Sequence, residues 1–379
     1  MRIALLTDGI YPYVIGGMQK HSFNLAKYFA KNKIFVDLYH TNQSKYDISK
    51  LEFFTEEEKK HIRSFVINFP SCGATPGHYI RESFDYSERI FKLFSVNRDV
   101  DFIYAKGFTA WKLIDEKRKG FKCPPVGVNF HGYEMFQKAP SLRSKLEQVL
   151  LLRKPVLFNI QNADFVFSYG GIITELVQKL GIDRKKIIES PAGIEREWVA
   201  SGIRETETTK KFLFVGRYER RKGIQEINLT LKNIYKNYTF EFHFVGNIEK
   251  RHRLSLPQVK YWGEITERSK LIEIISNCDV LVCPSYAEGM PNVILEAMSA
   301  GLSVIATNVG AVNILVGPNT GWLINPGKAS ELKNAMIEVI NMNNHDLNEF
   351  KQNAIGYVRN NFLIDEIMDN LIKTISLCK

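Results

Sequence analysis

Two glutamates eight residues apart, Glu288 and Glu296, flank a strand-to-helix transition in the stretch VLVCPSYAEGMPNVILEAMSAG, residues 280–301. An apolar run at 280–283 gives way at Pro284 and Ser285 to a polar loop, and helical spacing begins at Pro291. Pro291 suits the first helical position, because it has no amide hydrogen to leave unpaired and its φ is already set. Glu288 then lies in the loop and Glu296 between one and two turns inside the helix. Free amides and the positive end of a helix dipole collect an anion such as phosphate. A carboxylate accepts hydrogen bonds, often two at once from a vicinal diol, so a phosphate seat flanked by two glutamates fits a sugar nucleotide. Each glutamate alone has a plainer reading, as a capping residue or a solvated helix residue.

Further residues of the right types stand where strands end. The strand at 212–215 stops at Gly216 and is followed by Arg217, Arg220, Arg221 and Lys222, a cation cluster able to neutralise a diphosphate or to be a solvated loop. Gly16 and Gly17 precede an amphipathic helix, where glycines let a backbone approach a ligand and leave helix-start amides available. His131 ends the strand PVGVNF, and binding groups on parallel sheets sit at the carboxyl ends of strands. Glu134 reads as a helix-entry carboxylate. Gly246 and Gly263 end two further strands and permit a base or ribose to approach the backbone. Asp99 and Asp101 have the spacing of a metal-holding pair, but they precede the apolar run FIYA and read as a strand-entry turn.

The elements that must position these residues alternate, strand then helix, through both halves of the chain. That pattern predicts an α/β fold of two doubly wound parallel-sheet domains facing across a cleft. A chain of 379 residues exceeds what one core usually organises. A hinge is expected at SPAGIE, which divides residues 1–193 from residues 194–361. No apolar run is long enough to span a membrane. Five scattered cysteines without paired spacing point to a reduced, cytoplasmic setting, and Cys278 and Cys283 read as buried small hydrophobes. The net charge of +10 is concentrated in the first half, where residues 1–190 hold 29 Lys/Arg against 20 Asp/Glu and the remainder hold 22 against 21. No nucleic-acid module accompanies it, so nucleic acid is excluded as a partner and an anionic membrane surface or phosphorylated acceptor fits better. The stretch SLRSKLEQVLLLRKPVLF, read as one helix over 142–158, suits either an anionic bilayer or a core with a solvated face. The charged stretch 45–63 receives no assignment.

Taken together, PSYAEGMPNVILEAMSAGLSVIAT, the Gly216-Arg217 and Lys222-Gly223 pairs and SPAGIE resemble the family-four retaining glycosyltransferases of the GT-B fold. In that family two glutamates stand eight apart, Phe-Gly is common where this chain has Met290 and Pro291, and the linker commonly reads Pro-Asn-Gly-Val/Ile-Asp. The resemblance implies two Rossmann-like domains, the first binding acceptor and the second a nucleotide diphosphate sugar, with the last helix, about 362–379, crossing back onto the first. It places His131 and Glu288 at the donor sugar, Glu296 on the ribose, and Arg217 and Lys222 on the pyrophosphate, with Arg220 and Arg221 facing solvent. Gly16 and Gly17 face the donor phosphate, Gly246 and Gly263 frame the base, and Met290, Pro291 and Asn292 complete the donor-binding loop. It implies a metal-independent hexosyltransferase without cofactor, and a glycan or lipid-linked acceptor of polysaccharide or lipopolysaccharide assembly. The expected location is cytoplasmic and peripheral on the inner membrane face. The rival readings are a sugar-nucleotide epimerase of the same fold and a catalytically silent partner subunit.

Overall fold

The apolar runs of the first half form seven parallel strands: β1 (Arg2–Leu6), β2 (Phe35–His40), β3 (Ile62–Val66), β4 (Phe102–Lys106), β5 (Val126–Asn129), β6 (Phe165–Ser168) and β7 (Ile187–Glu189). In this computed structural model, residues 1–14, 16–42, 52–73 and 77–378 are described. The strands lie in the order β3-β2-β1-β4-β5-β6-β7. Helices cover both faces, which is why β1 and β4 read as continuous Ile/Leu/Phe runs rather than alternating ones. The order reverses between β1 and β4, in register from Ile3 opposite Phe102, so their carboxyl ends open the crevice where ligands bind in such sheets.

The second half repeats the plan with β8 (Lys210–Val215), β9 (Phe240–Val245), β10 (Val259–Gly263), β11 (Val280–Cys283), β12 (Ser303–Thr307) and β13 (Gly321–Ile324), in the order β10-β9-β8-β11-β12-β13. Here the switch point falls between β8 and β11. Those are the strands that lead into the cation cluster and the Glu288 loop.

Two crossings join the halves. The outgoing chain meets the returning one at Ile194 and Leu363, where Ile194 N donates to Phe362 O at 2.8 Å and Ile364 N donates to Ile194 O at 3.0 Å. The helix Ile364–Leu377 then buries Met368, Leu371 and Ile375 in the same core as Leu25 and Phe29 of the helix Gly17–Lys31. Each such side chain contributes about 1.5–3 kcal/mol of burial. Leu371→Ala would cost about 2–5 kcal/mol and loosen this crossing first. Within the second half, Lys351, on the helix Asn344–Asn361, places Nζ 3.0 Å from Asp279, both fully buried, beside Arg204. Truncating Asp279 would leave the Lys351 ammonium buried without its acid, at about 3–5 kcal/mol.

Three local features depart from the sequence reading. Pro291 is not the first helical residue: the helix is Asn292–Ser299, and Pro291 precedes it with an extended ψ of 114°. The helix read over 142–158 is three pieces, Leu142–Glu147, a π-helical turn Gln148–Leu152, and Arg153–Asn162. The charged stretch 45–63 holds the short helix Glu56–Lys59 and opens β3, while its residues up to 51 lie outside the described ones. Among the described residues no helix is long and apolar enough to cross a membrane.

Candidate active site

The second domain's part begins with Gly223, whose φ of +73° suits glycine and whose added Cβ would lie 2.1 Å from Pro284 O. That close approach presses the end of the cation loop onto the start of the glutamate loop, and Tyr286 N donates to Arg221 O at 2.8 Å. Lys222 Nζ consequently donates to Glu288 Oε1 at 2.6 Å, while Arg221 Nη1 lies 3.3 Å from Glu288 Oε2 and donates to Ala287 O at 2.9 Å. Burial alone would raise the Glu288 carboxyl, but Lys222 and Arg221 outweigh it and hold the group below the usual carboxylate range. Glu288 is thus a buried, ionised acceptor.

The cations divide differently from expectation. Arg221 does not face solvent, because Glu288 and Glu134, the latter 3.4 Å away, draw it into the cleft. Nor does Arg220, whose guanidinium donates to both oxygens of Glu226 at 2.7 and 2.9 Å and to the Tyr286 hydroxyl at 2.8 Å. Arg217 is the exposed one, with 81% of its side chain open to solvent and Glu219 at 2.9 Å. Lys222 and Glu288 are therefore brought together, and Arg217 stands at the rim.

Glu296 occupies a separate part of the cleft. It is nearly buried, and Lys20 Nζ from the first domain lies 3.9 Å away. Burial raises its carboxyl, opposed by Lys20 and Arg268. Asn292 lines the same recess beside Gly193 and Trp198. Met290 is buried, its Sδ accepting from Ala192 N at 3.0 Å, so two departures from the family pattern, at 192 and 290, contact one another. Gly246 ends β9 against Gly216, and Gly263 ends β10 beside open space.

The first domain's part is built on burial. His131 follows β5 with a φ of +58°, a left-handed conformation that costs a non-glycine residue of order 1 kcal/mol or more. Its amide donates to Asn129 Oδ1 at 2.8 Å, and its Nδ1 contacts the Tyr169 hydroxyl at the end of β6. Its Nε2 is buried with no hydrogen-bond partner among the described residues. Burial first, then Lys106 and His21, holds the imidazole well below its usual pKa and therefore neutral. Lys106, buried at the end of β4, contacts His21 Nδ1, and burial pushes its amine far down despite nearby Asp8. Gly17, opening its helix, faces open space, and the helix start has no side-chain cap among the described residues; Gly16 lies against Gln19.

The domains meet at backbone contact. A Cβ on Gly132 would lie 2.8 Å from Gly289 N, and Gln137 Nε2 donates across to Glu288 O at 2.6 Å. His131 and Glu288 each sit one residue from this contact. Sequence reasoning missed Lys20, His21, Lys106, Tyr169 and Gln137. Lys106 carried a signal, as the polar residue closing the apolar strand FIYAK. Asp101 Oδ2 accepts from Arg2 N at 2.7 Å, tying the starts of β4 and β1, the strand-entry role expected of it. Cys278 and Cys283 are buried, their thiols pushed up to about 12 and about 11 mainly by burial.

Residues 209–342 match the family described as group 1 glycosyl transferases. A putative teichuronic acid biosynthesis glycosyltransferase, TuaC of Bacillus subtilis, is 32% identical over 33% of this chain and 31% of its own length. The Escherichia coli UDP-Gal:alpha-D-GlcNAc-diphosphoundecaprenol alpha-1,3-galactosyltransferase is 28% identical over 52% of this chain and 55% of its own. The chain thus spans about a third to a half of these relatives. The structure of Anabaena Alr3699/HepE in complex with UDP superposes over 100% of both chains with a TM-score of 0.68 at 18% identity, a likeness of fold. The chain has the GT-B fold, with its two parallel sheets facing across the cleft just described.

Proposed function

We propose that this chain, with its group 1 glycosyltransferase domain, moves a sugar from a nucleotide diphosphate sugar to a glycan or lipid-linked acceptor in surface polysaccharide assembly. The observation that carries this reading is Glu288, buried and ionised between Lys222 and Arg221 in the loop after β11, one residue from the contact that brings His131 alongside. When a donor enters, its diphosphate takes over Lys222 and Arg217, and Glu288 is left to accept hydrogen bonds from the sugar's hydroxyls. The amides at the start of the helix Asn292–Ser299 and at Gly17 add preorganised positive charge where the leaving group forms. Glu296 accepts from the ribose, Gly246 and Gly263 border the base, and His131 Nε2 meets the donor sugar.

The bond from the anomeric carbon to the phosphate oxygen breaks, the acceptor oxygen bonds that carbon on the same face, and the acceptor's proton passes to the leaving diphosphate. Configuration is retained. Charge neutralisation by cations and amides replaces a metal in this reading, so excess chelator is expected to leave turnover unchanged. Loss of turnover restored by manganese or magnesium would overturn that part. The location follows from the acceptor: the cytoplasmic side, peripheral on the inner membrane face. Two relatives support the reading, one named for teichuronic acid biosynthesis and one for a diphosphoundecaprenol acceptor.

Incubation with a panel of nucleotide sugars, with and without lipid-linked acceptor, tests it. Acceptor-dependent release of nucleoside diphosphate is expected. A changed sugar still attached to the nucleotide would indicate an epimerase, and no turnover with any pair a silent partner subunit.

A further inference from the structure

The helical segment that begins at Leu142 has no buried residue from Leu142 to Leu152. Leu142, Leu146 and Leu150 are 81%, 60% and 71% exposed, far beyond what a core-facing stripe shows. Leu142 and Leu146 lie four apart on the helix Leu142–Glu147, and Leu150 continues the row into the π-helical turn Gln148–Leu152. A row of three large leucines in water is costly unless something covers it. No described residue does.

Charge says what fits. From 138 to 154 the chain carries Lys138, Arg143, Lys145, Arg153 and Lys154 against the single acid Glu147, which is taken up by Arg143 at 3.0 Å. Arg143, Lys145 and Lys154 are exposed around the leucine row. An apolar row bordered by exposed cations matches an interfacial helix, with leucines among acyl chains and cations at anionic headgroups.

Position connects the row to the cleft. Arg153 Nε donates to Met135 O at 2.9 Å, and its guanidinium lies over Phe136, 5.3 Å from the ring centroid, within the turn that follows His131. On the other side Leu151 abuts Gly77, at the start of the helix carrying Tyr79, and Tyr79 lines a recess floored by Asp8 and Lys106 at the switch point of the first sheet. The leucine row therefore stands at the first domain's rim of the cleft.

We propose that Leu142, Leu146 and Leu150, with Arg143, Lys145 and Lys154, dock this chain on an anionic lipid bilayer, so that a lipid-linked acceptor presents its head group to the cleft while its chain stays in the membrane. The inference rests on the lipid-linked reading of the acceptor and adds the face by which the membrane is met.

The test is sedimentation with vesicles of mixed phosphatidylglycerol and phosphatidylcholine, using the full chain, its Leu142→Ser, Leu146→Ser, Leu150→Ser triple variant, and an Arg143→Glu, Lys145→Glu, Lys154→Glu variant. Wild type is expected to pellet at low salt. The leucine variant should lose at least roughly tenfold in partition per leucine. The charge variant should lose roughly fivefold or more per cation, an effect that salt diminishes. Uridine diphosphate affinity should be unchanged in both, which separates a docking defect from a folding one. A leucine variant that pellets like wild type overturns the docking face, whereas failure on every lipid-linked acceptor with vesicle binding still dependent on the leucines overturns the acceptor reading alone. A wild-type dimer that the leucine changes dissociate, without vesicle binding, would assign the row to a second copy of the chain and overturn the proposal.

Discussion

The two faces of the cleft solve opposite electrostatic problems. On the second domain's face, Lys222 and Arg221 close on buried Glu288 as ion pairs, and Arg220 is locked likewise to Glu226 and Tyr286. On the first domain's face, Lys106, His21 and His131 are buried close together, and burial drives all three toward neutrality. Paired charges can be handed to a diphosphate. Neutral amines and imidazoles suit hydroxyl groups, which exchange hydrogen bonds without carrying charge. The difference teaches which face should respond to which ligand, and it can be broken by substitution.

The largest effect is expected at Lys222. Its ammonium would stabilise charge gathering on the leaving diphosphate, so Lys222→Ala should lower kcat/KM by roughly 10²–10³-fold, the scale for losing one preorganised stabilising group. Steady-state kinetics with the preferred donor checks this. A change of less than threefold, on the order of 0.6 kcal/mol, would place the diphosphate elsewhere.

Next come the two glutamates, which sharpen the comparison within the second face. Glu296→Ala should weaken bare nucleoside diphosphate by about 1.5–3 kcal/mol, as expected for hydrogen bonds to a charged group. Glu288→Ala should spare the bare nucleotide and impair the intact donor. Calorimetry on both ligands decides it, and equal weakening of the bare nucleotide by both changes would contradict the division.

A smaller effect separates the faces by pH. His40, buried beside β3, is held down to about 4 by burial, and His21 and His131 are lowered for the same reason. As pH falls below about 6.5, the unfolded chain binds protons that the folded chain refuses, so stability is fully present above that value and declines toward about pH 4. All three residues belong to the first domain. Hydrogen exchange should therefore show first-domain amides losing protection before second-domain ones on acidification. Simultaneous loss would show that these histidines do not set the acid limit.

The second face was the more readable from sequence because local geometry builds it. Gly223 must sit on Pro284, so the Lys222-Gly223 pair and the PSYAEG loop carry their own spatial relation, and only the division of labour among the four cations escaped. Arg221 turned inward because Glu134, far away in sequence, and Glu288 draw it there. Long-range packing makes the first face, and so it was mostly hidden. Lys20 became relevant only when the helix Gly17–Lys31 came against Glu296, and Tyr169 only when β6 lined up beside β5. The sheets followed from alternating apolar runs, except β3 and β7. β3 begins inside the charged stretch 45–63, its Arg63 half-exposed and bonded to Asp37, and β7 has three residues. The leucine row at 142–150 could be read as apolar, but not as uncovered, because coverage depends on everything folded around it.

The central claim is that nucleoside diphosphate is held by the charged face and not by the neutral one. Calorimetric titration of uridine diphosphate into Lys222→Ala and Lys106→Met tests it most directly. A loss of about 1.5–3 kcal/mol is expected for the first and less than about 0.5 kcal/mol for the second. Equal losses, or a larger loss at Lys106, would contradict it.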